Sequence, residues 1–183
     1  MIKLQSLKGY MAKKYFSLQK YSRFKKAIPF VFTFANALFG FLSIIKTIEG
    51  NFVFAGLCIM AAALMDAFDG RLARYLGTEG QLGTELDSLC DAISFCLAPA
   101  VLMYSWYLHD FGHAGIFVIA LVFYVCAGLL RLARFNITAA DQSVFFLGLP
   151  TSIAAFFIVQ IILYQELFIE SSLHTLLTEK VLV

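Results

Sequence analysis

Charge is what this chain has least of. Only 14% of its 183 residues are Asp, Glu, Lys or Arg, against 61% hydrophobic residues and a mean hydropathy of +0.82. Soluble globular domains carry roughly 25% charged residues, so that class is excluded and an integral membrane protein is predicted. Cysteine is also sparse. Cys58, Cys90, Cys96 and Cys126 sit singly in apolar segments with no C-x-x-C pair, which excludes a disulfide framework or a thiolate zinc site and leaves them as small packing residues. The chain has no low-complexity linker and no internal repeat. At roughly 20 residues per span, its length is used up by about five or six membrane crossings, with no room for a separate soluble domain.

What is present is a series of apolar runs, predicted to span at residues 28–48, 51–74, 86–108, 114–135 and 147–168. The expected fold is an all-α bundle of five to six transmembrane helices, with the membrane domain over residues 27–183. The stretch after Glu170 is too short and too polar for a full span, so a sixth helix is short or truncated. Ahead of the first span, residues 1–26 hold eight of the fourteen Lys and Arg residues. There Leu4, Leu7, Met11, Tyr15, Leu18 and Tyr21 recur at steps of three and four, predicting an amphipathic juxtamembrane helix on an anionic lipid face, with a disordered basic tail as the alternative and no nucleic-acid partner expected. With the N-terminus in the cytoplasm, Arg71, Arg74, Arg131 and Arg134 fall on the same side and only Lys46 and Lys180 lie outside. That asymmetry predicts a protein of the cytoplasmic (inner) membrane with a cytoplasmic N-terminus. At the outer side, Trp106 with Tyr104 and Tyr107 reads as an interfacial aromatic belt, and residues 109–113 as an interfacial turn.

Against this background, four carboxylates stand out within one short stretch. Asp66, Asp69, Gly70 and Ala73 share a face of the second helix, and Gly83, Asp87 and Asp91 share a face of the third. An ionised Asp deep in a membrane helix costs about 2.5–3.5 kcal/mol even on the lenient insertion scale, so these groups must face the bundle interior, line a wet cavity, be protonated or bind a metal. If the two helices run antiparallel, Asp66 and Asp91 each lie about 12 Å in from Arg74 and Gly83, with Asp69 and Asp87 facing each other nearer the mouth. Carboxylates without His or Cys beside them suit hard ions, Mg²⁺ or Mn²⁺. Two such ions about 3.5–4 Å apart can clamp a phosphoryl group undergoing displacement. Gly70, Ala73 and Gly83 leave space for a bulky ligand, and Arg74 stands where a diphosphate would arrive. The active site is therefore expected at the cytoplasmic mouth.

These residues, Asp66-x-x-Asp69-Gly70-x-x-Ala73-Arg74 followed by Gly83-x-x-x-Asp87-x-x-x-Asp91, resemble the signature of the CDP-alcohol phosphotransferase family at every fixed position. Flanking text narrows the resemblance to its serine-using branch: Ser94-Phe95, Ala98-Pro99-Ala100, Arg131-Leu132-Ala133-Arg134-Phe135-Asn136 and Gly148-Leu149-Pro150. The resemblance implies CDP-diacylglycerol as donor, L-serine as acceptor, and phosphatidylserine with CMP as products. It further implies Asp66, Asp69 and Asp87 as the main metal ligands of a two-ion Mg²⁺ or Mn²⁺ site, with Asp91 both touching a metal and accepting the proton of the acceptor hydroxyl. Gly70, Ala73, Arg74 and Gly83 would form the CDP-lipid pocket, in a fold of six transmembrane helices that is usually a homodimer. This chain departs from the branch at Phe30, where Asn is common, at Ser152, where a second Pro is common, and in its short sixth helix.

Two readings stay open at several positions. Arg131 and Arg134 either bind the acceptor carboxylate or donor phosphate, with Asn136 assisting, or snorkel to the headgroups as anchors. Asn36, polar within the first span, either reaches the nucleotide pocket or bonds helix to helix. For the activity, the alternatives are a relative using glycerol 3-phosphate or inositol phosphate as acceptor, or a divalent-cation transporter.

Overall fold

The computed structural model describes residues 28–78, 80–112, 115–140 and 150–169. The predicted amphipathic segment 1–26, His113, Gly148-Leu149 and the polar stretch after Glu170 lie outside the described residues. Five helical segments in the described residues are long and apolar enough to cross a membrane, in agreement with an integral membrane protein. No strand occurs among the described residues.

The first helix, α1, runs Ile28–Ile48. Its inward stripe is polar or small: Pro29, Thr33, Asn36, Gly40, Ser43 and Thr47 are buried, while Val31, Phe34, Leu38, Phe41 and Ile48 point outward. That polarity is inverted relative to a soluble helix, as expected where the surroundings are lipid. A turn at Gly50 (φ 77°) leads to α2, Phe52–Leu76, whose N-terminus is capped by Asn51 accepting from the Phe54 N–H at 3.1 Å. The helix stops at Gly77, which adopts φ 60°, and Thr78 N–H closes on the Ala73 carbonyl at 3.0 Å. Without that left-handed residue α2 would not release the chain to turn back within a few residues.

The return crossing is composite. It consists of α3 (Gln81–Asp91), a π-helical turn (Ala92–Leu97) and α4 (Ala98–Phe111). This crossing starts five residues earlier than the apolar run suggested, because Gln81–Glu85 is polar yet helical, with Gln81 Nε2 donating to Glu85 at 2.9 Å. Helix α5 spans Gly115–Ala140, and α6 spans Thr151–Tyr164, followed by a second π turn at Gln165–Ile169.

The core lies where α2, α4 and α6 meet. Ala55, Ile59 and Ala62 of α2 pack with Ala98, Leu102 and Trp106 of α4 and with Ala155, Val159 and Ile162 of α6. The alanines bring the backbones close, which is how helices associate when lipid offers no hydrophobic contrast. Trp106 is 5% exposed and donates Nε1–H to Glu166 at 3.0 Å, so it packs into the core beside α2 and α6 three residues before the end of its span. Cys58, Cys90 and Cys96 are buried packing residues as expected; Cys126 is not, since α5 turns that side outward.

One close crossing has a measurable consequence. A Cβ at Gly40 would stand 2.8 Å from Ser94 Cα, and backbone cannot swing aside as a side-chain tip can. Gly40→Ala is expected to destabilise the bundle by about 1–3 kcal/mol, read as a lowered thermal midpoint in detergent. An unchanged midpoint would show that α1 does not pack on the π turn in the membrane.

Candidate active site at one end of the bundle

The end of the bundle where α1 begins, α2 ends, α3 begins and α5 ends holds an open cavity of about 330 Å³. Asp69 and Asp87 line it, with Gly70, Ala73, Arg74 and Gly83 around them. The antiparallel course of α2 and α3 makes this possible, since each helix contributes one turn-spaced face. Carboxylate oxygens of Asp66, Asp69 and Asp87 lie within 4.8 Å of one another. Asp66 and Asp91 do not line the cavity, which agrees with the expected arrangement in two depths.

Asp91 is set apart from that trio by its hydrogen bonding. Asn36 Nδ2 donates to its Oδ1 at 2.9 Å, while its charge still acts on those of Asp66, Asp87 and Asp69. Two like charges 4 Å apart repel by about 4 kcal/mol at an effective dielectric constant of 20, so such a group needs a cation or a shared proton to offset it. Asp69 is 4% exposed, and its Oδ2 and Asp87 Oδ1 are buried with no hydrogen-bond partner among the described residues. Buried carboxylate oxygens without donors, converging from two helices, are a donor set for a hard divalent ion, and the residues present fit that role.

The remaining predicted site residues divide by location. A Cβ at Gly83 would meet nothing within 4 Å, and one at Gly70 only the tip of Arg74 at 3.9 Å, so both glycines face free space that a ligand can fill. Arg74 is exposed and donates Nε–H to the Gly70 carbonyl at 2.9 Å, which leaves the outer nitrogens of its guanidinium at the mouth. Neither Arg131 nor Arg134 lines the cavity, although Phe135 between them and Asn136 does. Arg131 Nε is buried without a partner among the described residues, and Arg134 is exposed. Asn136 accepts from Ser88 Oγ at 2.8 Å, tying the end of α5 to the helix that carries Asp87. Asn36 lies outside the cavity, on Asp91.

Sequence reasoning missed several residues at or behind the cavity, four of which bear on its geometry. Thr33 and Thr78 line the cavity, and Ser88 positions Asn136. Tyr124 OH donates to the Phe95 carbonyl at 2.7 Å, a carbonyl within the π turn. Thr33 carried a legible signal, since it falls one turn before Asn36 on the polar stripe of α1. The other three depend on which helix lies opposite, and no local pattern marks them.

Known proteins resemble this chain over most of its length. A CDP-diacylglycerol–serine O-phosphatidyltransferase from Helicobacter pylori is 36% identical over 139 residues, covering 75% of this chain and 58% of the relative. An archaetidylserine synthase from Methanothermobacter thermautotrophicus is 40% identical over 132 residues, covering 70% and 54%. A CDP-diacylglycerol–serine O-phosphatidyltransferase from Bacillus subtilis is 36% identical over 132 residues, covering 72% and 73%. The match thus spans little more than half the length of the first two relatives. No solved structure matches the chain. The family model of the CDP-alcohol phosphatidyltransferases matches residues 26–181, a range that contains all four carboxylates, and by that match the chain belongs to the CDP-alcohol phosphatidyltransferase family.

Proposed function

We propose that the protein transfers the phosphatidyl group of CDP-diacylglycerol to the hydroxyl of L-serine, releasing phosphatidylserine and CMP. The observation that carries this reading is the convergence of Asp66, Asp69 and Asp87 within 4.8 Å, two of them, Asp69 and Asp87, lining a cavity edged by Gly70 and Gly83. The printed activities of the relatives, each a serine phosphatidyltransferase or an archaetidylserine synthase, support serine as acceptor.

Asp66, Asp69 and Asp87, with Asp91 at their inner edge, would hold two divalent ions, Mg²⁺ or Mn²⁺. Bound there, the ions supply charge neutralisation for the diphosphate and the departing CMP. Gly70, Ala73 and Gly83 present flat helix surfaces to the nucleotide and diphosphate, and Arg74 meets the phosphates at the mouth. Asp91 accepts the proton of the serine hydroxyl as the oxygen attacks the phosphatidyl phosphorus. The phosphorus–oxygen bond to CMP breaks, and the electron pair leaves with CMP. Arg131, whose Nε has no partner among the described residues, and Arg134 would supply positive charge to the serine carboxylate or donor phosphate. Asn136, fixed by Ser88, completes that side.

The membrane setting follows from the same geometry. The acyl chains stay in the bilayer beside the outward-facing apolar residues, while serine reaches the mouth from water. The end carrying Arg71, Arg74, Arg131 and Arg134 is assigned to the cytoplasm and the membrane to the inner membrane, on the positive-inside bias. A homodimer is part of this proposal. Helix α5 offers an apolar face for it, with Ile116, Ile119, Val122, Phe123 and Leu130 exposed.

An acceptor competition tests the reading. Purified protein with CDP-diacylglycerol and Mg²⁺ is expected to release CMP with L-serine and to be indifferent to glycerol 3-phosphate or inositol phosphate. Release with a phosphorylated alcohol and none with serine would overturn the acceptor, and metal flux into proteoliposomes without CDP-lipid would overturn the enzyme.

A further inference from the structure

Asn36 is fully buried on α1 and does not line the cavity, although Thr33, one turn nearer the mouth, does. Its Nδ2 donates to Asp91 Oδ1 at 2.9 Å, and its own backbone carbonyl accepts from Ser94 Oγ at 2.9 Å. One turn further along α1, Gly40 permits the Ser94 backbone to approach as closely as it does. On the other side of the π turn, Tyr124 OH of α5 holds the Phe95 carbonyl at 2.7 Å. The residues that follow Asp91 are therefore clamped between α1 and α5, and Asn36 reaches from that clamp to the carboxylate itself.

The amide does this at a cost. Its Oδ1 is buried with no partner among the described residues, a penalty that an apolar side chain of similar size would avoid. Packing alone thus gives no reason for an amide at this position. We infer that Asn36 is a positioning residue for Asp91: it occupies Oδ1 and leaves Oδ2 directed to the acceptor hydroxyl, and contact with the CDP-lipid is not its role. The inference rests on the proposed reading of Asp91 as the proton acceptor. Holding that carboxylate is valuable because a displacement of about 1 Å in a reacting group costs about 100-fold in rate.

The test is a split of kcat from KM in the full chain, reconstituted in lipid–detergent micelles with CDP-diacylglycerol, L-serine and Mg²⁺. Asn36→Ala is expected to lower kcat about 100-fold while KM for CDP-diacylglycerol stays within about twofold. Ser94→Ala, which only loosens the clamp on Asn36, is expected to lower kcat about 10-fold with the same split. Mn²⁺ binding reports folding of each variant, and if Asn36→Ala does not bind Mn²⁺, Ser94→Ala decides. A raised KM for CDP-diacylglycerol with kcat retained would make Asn36 a donor-binding group and overturn the inference. So would an unchanged kcat in the folded variants. Both outcomes leave the proposed function standing, whereas a wild type that releases no CMP with serine or any other alcohol overturns the function and this inference together.

Discussion

Asp91→Asn should yield a folded protein that releases CMP about 10²–10⁴-fold more slowly than wild type, the range expected when a positioned proton acceptor is lost. The substitution is nearly isosteric, so the packing of α3 against the π turn is preserved. What disappears is the ability to take a proton from the acceptor hydroxyl. Asp66, Asp69 and Asp87 remain within 4.8 Å of one another without it, so at least one ion should still bind, measured by Mn²⁺ titration. The same substitution separates the two duties that the family resemblance places on this residue. If Mn²⁺ affinity falls together with the rate, Asp91 is also a ligand; if only the rate falls, its part is proton transfer. A variant releasing CMP at the wild-type rate would remove Asp91 from the chemistry.

Asp69→Asn should produce effects of opposite sign on activity and on stability. Activity at fixed Mg²⁺ is expected to fall about 10²–10³-fold, as when a group that stabilises transition-state charge is removed. Chelation of the wild type should abolish CMP release, and Mg²⁺ or Mn²⁺ should restore it. Stability in the presence of chelator should instead rise, because Asp69 is 4% exposed, sits against Asp66 and Asp87, and has an Oδ2 with no partner among the described residues. Removing one of three crowded like charges relieves repulsion that the metal-free protein otherwise carries. Thermal unfolding of both proteins in detergent with chelator is the measurement. A lower midpoint for Asp69→Asn would mean that the carboxylate serves packing and not a cation. Opposed signs are the mark of a group kept for function against its effect on stability.

Much of this was legible in the residues because lipid makes polarity expensive. Asp66, Asp69 and Gly70 on one helix and Gly83, Asp87 and Asp91 on the next repeat at helical spacing, so their faces could be read without knowing where the helices lie. The antiparallel return between them followed from the short connection, and the structure confirms it with Gly77 at φ 60°. Hydropathy was less informative at the ends of spans. Gln81–Glu85 falls outside the apolar run because it is polar, yet it extends α3 into the cavity rim, since a helix can leave the apolar layer without ceasing to be a helix. The burial of Trp106 was not legible either, since composition reports a residue's taste for an interface and not which neighbour covers it.

The sequence by itself determined an all-helical membrane protein with a cluster of carboxylates on two facing helices that could hold a divalent cation, because charge within an apolar span has so few physical outlets. Only the tertiary structure decided how the four carboxylates divide. Three converge from α2 and α3, and the fourth is held by an amide from α1, fifty-five residues away. No spacing rule along the chain can report that contact, because it depends on how closely α1 approaches the π turn. That approach is made possible by Gly40 lying against Ser94.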